Sequence, residues 1–201
     1  MKLQATARRV AGFSLVEVMI ALIIISVGML GIAKLEAVVL SNTGSSRLRA
    51  LVALQAESLA DAMHADRDFW DGTSGDWTSS MGVSITVSGG TASLSATNSA
   101  HLSSALSTVP NCSSAACIPA NLAGYDLTQW ASGSAGIGGL AQLLKNSTSS
   151  VSCLAATVTN PASCTLTITW NENTVAANQQ EATAGAPASF SSETYTLVVQ
   201  P

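Results

Sequence analysis

The sequence predicts an α+β protein: a long amino-terminal helix, half membrane anchor and half amphipathic, packed on a small antiparallel β-sheet. Three observations predict it. From Phe13 to about Asp68 the pattern is helical, first as a nearly unbroken apolar run and then as apolar residues at helical spacing. "TLTITW" (Thr165 to Trp170) and "TYTLVV" (Thr194 to Val199) alternate apolar and polar residues, the period of a half-buried strand. The amphipathic part of the helix supplies the apolar stripe such a sheet needs on one face.

Residues 1–12 are a short polar leader. Residues 13–34 form the transmembrane half of the helix. Its apolar run, Phe13 to Ala33, spans the ~30 Å of a bilayer core at about 1.5 Å per residue. Gly28 and Gly31 weaken it by up to about 1 kcal/mol each but permit close helix contact. Residues 35–68 form the amphipathic half, where Leu48, Leu51, Val52, Leu59, Ala62 and Met63 recur at helical spacing and the charged residues mostly fall elsewhere. "SNTGSS" (Ser41 to Ser46) is a poor helix former, so a bend or local melting is expected there. No proline precedes Pro110, so any bend must arise at Gly28, Gly31 or Gly44. Residues 69–201 form the globular part. Up to residue 150 it is rich in Gly, Ser and Ala and weakly patterned. "VSITV" (Val83 to Val87) is a weaker strand, and "LAGYDLTQW" and "IGGLAQLLKN" are short helical or loop pieces. The last fifty residues read as strands.

Charged residues make up 10% of the chain, against about 25% in ordinary soluble domains, which favours export. Lys2, Arg8 and Arg9 precede the apolar run and place the amino terminus in the cytoplasm by the positive-inside rule, with the rest outside. Without the first twelve residues, five basic side chains face twelve acidic ones, and no basic patch for nucleic acid exists. All four cysteines, Cys112, Cys117, Cys153 and Cys164, lie in the outer part. An even count there favours disulfides over zinc, whose ligand spacing is not met. Three pairings are open; the local one, Cys112–Cys117 with Cys153–Cys164, is the one adopted.

The stretch "GFSLVEVMI" (Gly12 to Ile20) carries the most chemistry. A secretory signal has an apolar core of about 7–15 residues and a small-residue cleavage site after it. Here the run is longer and holds Glu17. A plain signal anchor explains the length but not the carboxylate, which costs roughly 2.5–3.5 kcal/mol at mid-bilayer. Basic leader, Gly12, Phe13, Glu17 and apolar run together resemble the type III signal of type IV pilins and pseudopilins. That resemblance implies a pilin-like fold and a membrane aspartyl peptidase, the prepilin peptidase, that cuts between Gly12 and Phe13 and methylates the new amine of Phe13. It also makes Glu17 the family's acidic fifth residue. Pairing of Glu17 with the Phe13 amine of a neighbouring subunit would satisfy a buried acid and fix the helix register in an assembly.

"RLRALVALQAESLADAMHADRDFW", "CSSAACIPANLAGYDLTQW" and "CTLTITWNE" resemble, more loosely, the minor pilin family called type IV pilus modification protein, or PilV-type. This implies a non-enzymatic subunit that primes pilus assembly at the filament tip. Its partners would be other minor pilins, the major pilin and the inner membrane, with the domain first in the periplasm and then on the pilus. A minor pseudopilin of a type II secretion system and a tip adhesin are the alternatives. No cofactor and no metal site is expected. His64 and His101 sit in no catalytic constellation, "DRDFWDGTSGDW" (Asp66 to Trp77) lacks calcium-loop spacing and reads as the loop leaving the helix, and "GSAGIGG" lacks the strand a phosphate loop needs. Trp77, Trp130 and Trp170 read as core.

Overall fold

The computed structural model describes residues 14–134, 137–173 and 190–201. They divide into two compact units, one ending at Thr43 and one starting at Gly44. The first unit is helical: α1 starts at Leu15 and is assigned without a break to Ala65, 51 residues against an average of about 11–12 in globular domains. The expected break over Ser41 to Ser46 is absent. The Thr43 hydroxyl donates to the Val39 carbonyl at 2.8 Å, so this polar side chain bonds within the helix and does not compete with it.

In the second unit α1 presents a single stripe. Val52, Ala56, Leu59 and Met63 follow the 4-3-4 spacing of one helix face and are fully buried. Asp66 leaves the helical region (φ −117°, ψ 52°) and ends α1 before Asp68; a short helix α2, Arg67–Trp70, follows where a loop was expected. The turn drives Phe69 and Trp70 into the core, their rings edge to face with centroids 5.2 Å apart.

The sheet contains β1 (Ser80–Ser88), β2 (Thr91–Thr97), β5 (Ser147–Leu154), β6 (Ser163–Asn173) and β7 (Phe190–Val199), in the order β2-β1-β5-β6-β7, all antiparallel. Helices α3 (Ala100–Thr108) and α4 (Pro119–Ser132), a two-strand hairpin β3–β4 (Gly133–Ser134 with Ile137–Gly138) and a single turn α5 (Leu140–Leu143) separate β2 from β5. Alternate residues of the strands face the α1 stripe in one core: Val83 and Ile85 from β1, Val151 from β5, Leu166, Ile168 and Trp170 from β6. This is the α+β architecture expected from the sequence, long helix on antiparallel sheet.

Besides α2 and the short β3–β4 pair, strands β5 and β2 and helix α3 escaped the sequence reading. In β5 the inward positions nearest the strand start are Ser147 and Ser149, both buried. They lie between bulky neighbours: Ser147 pairs with Val87 and Trp170, Ser149 with Ile85 and Ile168. Small residues on the central strand leave room for large ones beside them, and this hides the strand from a hydrophobic pattern. β2 turns only Ala92, Leu94 and Ala96 inward, and α3 buries only Leu102 and Ala105. α3 and α4 meet at Gly124, where a Cβ would lie 2.6 Å from that of Ala105, so an alanine there forces the helices apart. Trp77, Trp130 and Trp170 are buried as expected, and each of these indole N–H groups donates: Trp77 to the Phe69 carbonyl (2.8 Å), Trp130 to the Gln55 carbonyl (2.6 Å), Trp170 to Glu172 (2.9 Å).

The α1 stripe generates a direct prediction. Leu59→Ala, at 1% exposure, should lower unfolding free energy by about 2–5 kcal/mol in denaturant titrations. Leu54→Ala, at 60% exposure, should change it by no more than about 0.5 kcal/mol. Equal losses would place the packed face of α1 elsewhere.

Candidate assembly site

The first unit carries large apolar side chains on every side of α1. Leu15, Ile20, Ile24, Leu30 and Leu40 all stand about half or more exposed, and none of the apolar stretch they belong to is buried within the described residues. By length and composition it can cross a membrane. Nothing lies within 4 Å of where a Cβ would project at Gly28 or Gly31, so both positions are open to close approach by another helix. A helix that is apolar all round needs a membrane or other helices around it.

Glu17 is the acid of this segment's first turn, where the helix dipole favours a negative charge. It is exposed, among apolar side chains that are also exposed. Gly12 and Phe13, the expected cleavage, methylation and pairing residues, lie outside the described residues.

In the second unit, one ionic clasp ties α1 to the sheet. The Arg49 guanidinium makes a forked contact with Glu172 of β6 (3.2 and 3.1 Å) and reaches Glu193 of β7 at 3.1 Å. Glu172 is buried and also accepts the Trp170 indole N–H. Planar, two-point pairing of this kind fixes orientation as well as charge, holding α1 in register over the ends of β6 and β7. Glu172 carries no isolated apolar-pattern signal, so sequence reasoning missed it.

The cysteines are joined as Cys112–Cys117, in the connection between α3 and α4, and Cys153–Cys164, directly across β5 and β6. His64 is exposed on α1, while His101, at the start of α3, contacts Asp76 at 2.5 Å. Among the described residues no group of His, Cys, Asp and Glu is placed to hold a metal ion.

At the junction of α1 and α2, Asp66 is 6% exposed and its Oδ2 has no hydrogen-bond partner. Burial first, then the negative charges of Asp126, Asp68 and Asp76, raise its carboxyl pKa to about 7. Burial also raises Asp126.

Residues 7–33 match the family described as the prokaryotic N-terminal methylation motif. No curated protein and no solved structure matches the chain. The match spans residues 7–12 of the leader, with Gly12, then Phe13, Glu17 and most of the exposed apolar segment. With a long apolar helix and a five-stranded antiparallel sheet, it marks the chain as prepilin-like, carrying the amino-terminal signal found in type IV pilins and pseudopilins. The motif implies processing by prepilin peptidase and association with a membrane.

Asp66 gives a pH prediction. Its folded pKa lies above its ordinary value of 3.8, so the stability it contributes is complete below about pH 4 and is lost as pH rises through 7. Asp66→Asn should remove that loss. Thermal melts of wild type and variant should diverge between pH 4 and 8 in favour of the variant, by up to roughly 4 kcal/mol at about 1.4 kcal/mol per pH unit. Parallel pH profiles would mean that Asp66 does not titrate in this range.

Proposed function

We propose that this chain is a minor type IV pilin, a structural and non-enzymatic subunit that primes pilus assembly at the filament tip. The observation that carries this reading is the motif at residues 7–33 leading into a helix whose apolar surface has no cover among the described residues of its own unit. In this account prepilin peptidase cuts between Gly12 and Phe13 and methylates the Phe13 amine. The amino terminus faces the cytoplasm, the globular part the periplasm, and the processed subunit passes from the inner membrane into the pilus.

Glu17 then has a defined task. The mature amine at Phe13 has an ordinary pKa near 8 and carries a positive charge. Glu17 lies four residues on, about 6 Å along the axis. In a bundle of such helices the carboxylate of one subunit meets the amine of the next, neutralising two charges in a medium where either alone is costly. The pairing selects one axial stagger between subunits, other minor pilins and the major pilin included.

Mass spectrometry of the mature protein should find its amino terminus at methylated Phe13, and Gly12→Val should leave the leader attached. Glu17→Ala should still be inserted, cut and folded, yet be depleted from sheared pili, since breaking a buried pair costs about 3–5 kcal/mol. Uncut wild-type protein would overturn the reading. Absence of the wild-type chain from pili, together with loss of a secreted substrate on its deletion, would assign it as a minor pseudopilin instead.

A further inference from the structure

β7 forms one edge of the sheet. At the opposite edge α3 covers β2, and the Ser103 hydroxyl donates to the edge carbonyl of Ala96 at 3.2 Å. β7 has no such cover among the described residues. Cys153 and Cys164 face each other with Cα atoms 4.0 Å apart, the close spacing of a non-hydrogen-bonded pair. Cys164 therefore turns its N–H and C=O toward Val199, and the alternation continues along β7. Ser192, Thr194, Thr196 and Val198 present theirs outward.

Natural edge strands are protected by lysine, proline or a bulge. Phe190–Val199 contains neither residue, and its register with β6 runs without a bulge from Val199 to Phe190. Its one charge, Glu193, is engaged by Arg49. Beside this edge runs a groove between α1 and the end of β7. Glu57, Asp61 and His64 form its helix wall, with Leu197 and Val199 on the strand side. Glu57 and Asp61 are exposed and have no ion-pair partner among the described residues. Arg67, near the far end, is occupied with the Pro201 carbonyl at 3.0 Å.

We propose that β7 is a strand-addition site for an extended segment of a different protein that carries lysine or arginine at alternate positions. The outward backbone groups supply the pairing, which is independent of sequence. The acidic wall supplies the choice of partner. Basic side chains entering the groove lay their methylene stems along Leu197 and set their charges against Glu57 and Asp61. A second copy of this chain is disfavoured: pairing two β7 edges brings a second Glu57 and Asp61 to the same seam, and like charges across an interface repel. The inference rests on the sheet edge and the acidic groove beside it, so its failure and a failure of the leader-cleavage result are separate outcomes.

The test uses the detergent-solubilised full chain and two blocked heptapeptides, one alternating threonine with lysine and one alternating threonine with glutamate. The lysine peptide should slow amide exchange in the segment Ser192 to Val198 at least tenfold, and the glutamate peptide should not. Thr196→Pro removes an outward N–H and no bond to β6, so it should keep the melting temperature and weaken lysine-peptide binding at least tenfold. The double variant Glu57→Lys/Asp61→Lys, on the exposed face of α1, should reverse the preference between the peptides without touching the strand. Undiminished binding to Thr196→Pro, equal binding of the two peptides, or self-association of the chain that Thr196→Pro abolishes would each overturn the proposal.

Discussion

The governing constraint is that the apolar surface of residues 15–40 cannot remain in water. Fully burying a leucine or isoleucine side chain is worth about 1.5–3 kcal/mol, and this segment exposes such side chains on every side. Tens of kcal/mol therefore favour a bilayer or a packing of other apolar helices over water. The rest follows from that demand. The helix is long because one part must satisfy lipid or neighbours while another nucleates a domain. Its character changes accordingly, from apolar all round to a single buried stripe at Val52, Ala56, Leu59 and Met63. A carboxylate at Glu17 conflicts with lipid and agrees with an assembly, and this makes it a discriminating residue for the proposed pilin role.

The globular part meets a related demand with little aromatic content and few charges. Its core depends on size complementarity across the sheet, small Ser147 and Ser149 beside Trp170 and Ile168, and on the acceptors found by the indole N–H groups of Trp77, Trp130 and Trp170. Arg49 converts helix-on-sheet contact into a fixed register by gripping two strands at once. The buried acid Asp66 stands against this economy. It ends α1 and allows Phe69 and Trp70 to fill the core, with its charge as the cost.

Different parts of this protein were legible in the sequence for different reasons. The amino-terminal signal reads clearly because peptidase and membrane demand particular residue types at fixed offsets. β6 and β7 read clearly because large apolar residues alternate with threonine. β5 and β2 did not, since serine and alanine occupy inward positions that a hydrophobic pattern scores as solvent-facing. The continuous helix through Ser41 to Ser46 went against local propensity: the Thr43 hydroxyl bonds back to its own helix, and the neighbours on both sides are strong helix formers. The Arg49–Glu172 contact joins residues far apart in the chain and leaves no local trace. The edge position of β7 emerges only once strand order is known.

The central claim, that Glu17 is satisfied by a neighbour's mature amine, has a direct chemical test. A lipid-soluble carbodiimide activates a carboxylate buried in an apolar phase. With an amine in contact, the activated Glu17 is captured as an amide; without one, it rearranges to a stable N-acylurea. Applied to assembled pili and followed by peptide mass spectrometry, the account predicts a linked peptide joining Glu17 of one subunit to the Phe13 nitrogen of the next. Glu17 recovered as the N-acylurea, with the Phe13 amines unlinked, would contradict it.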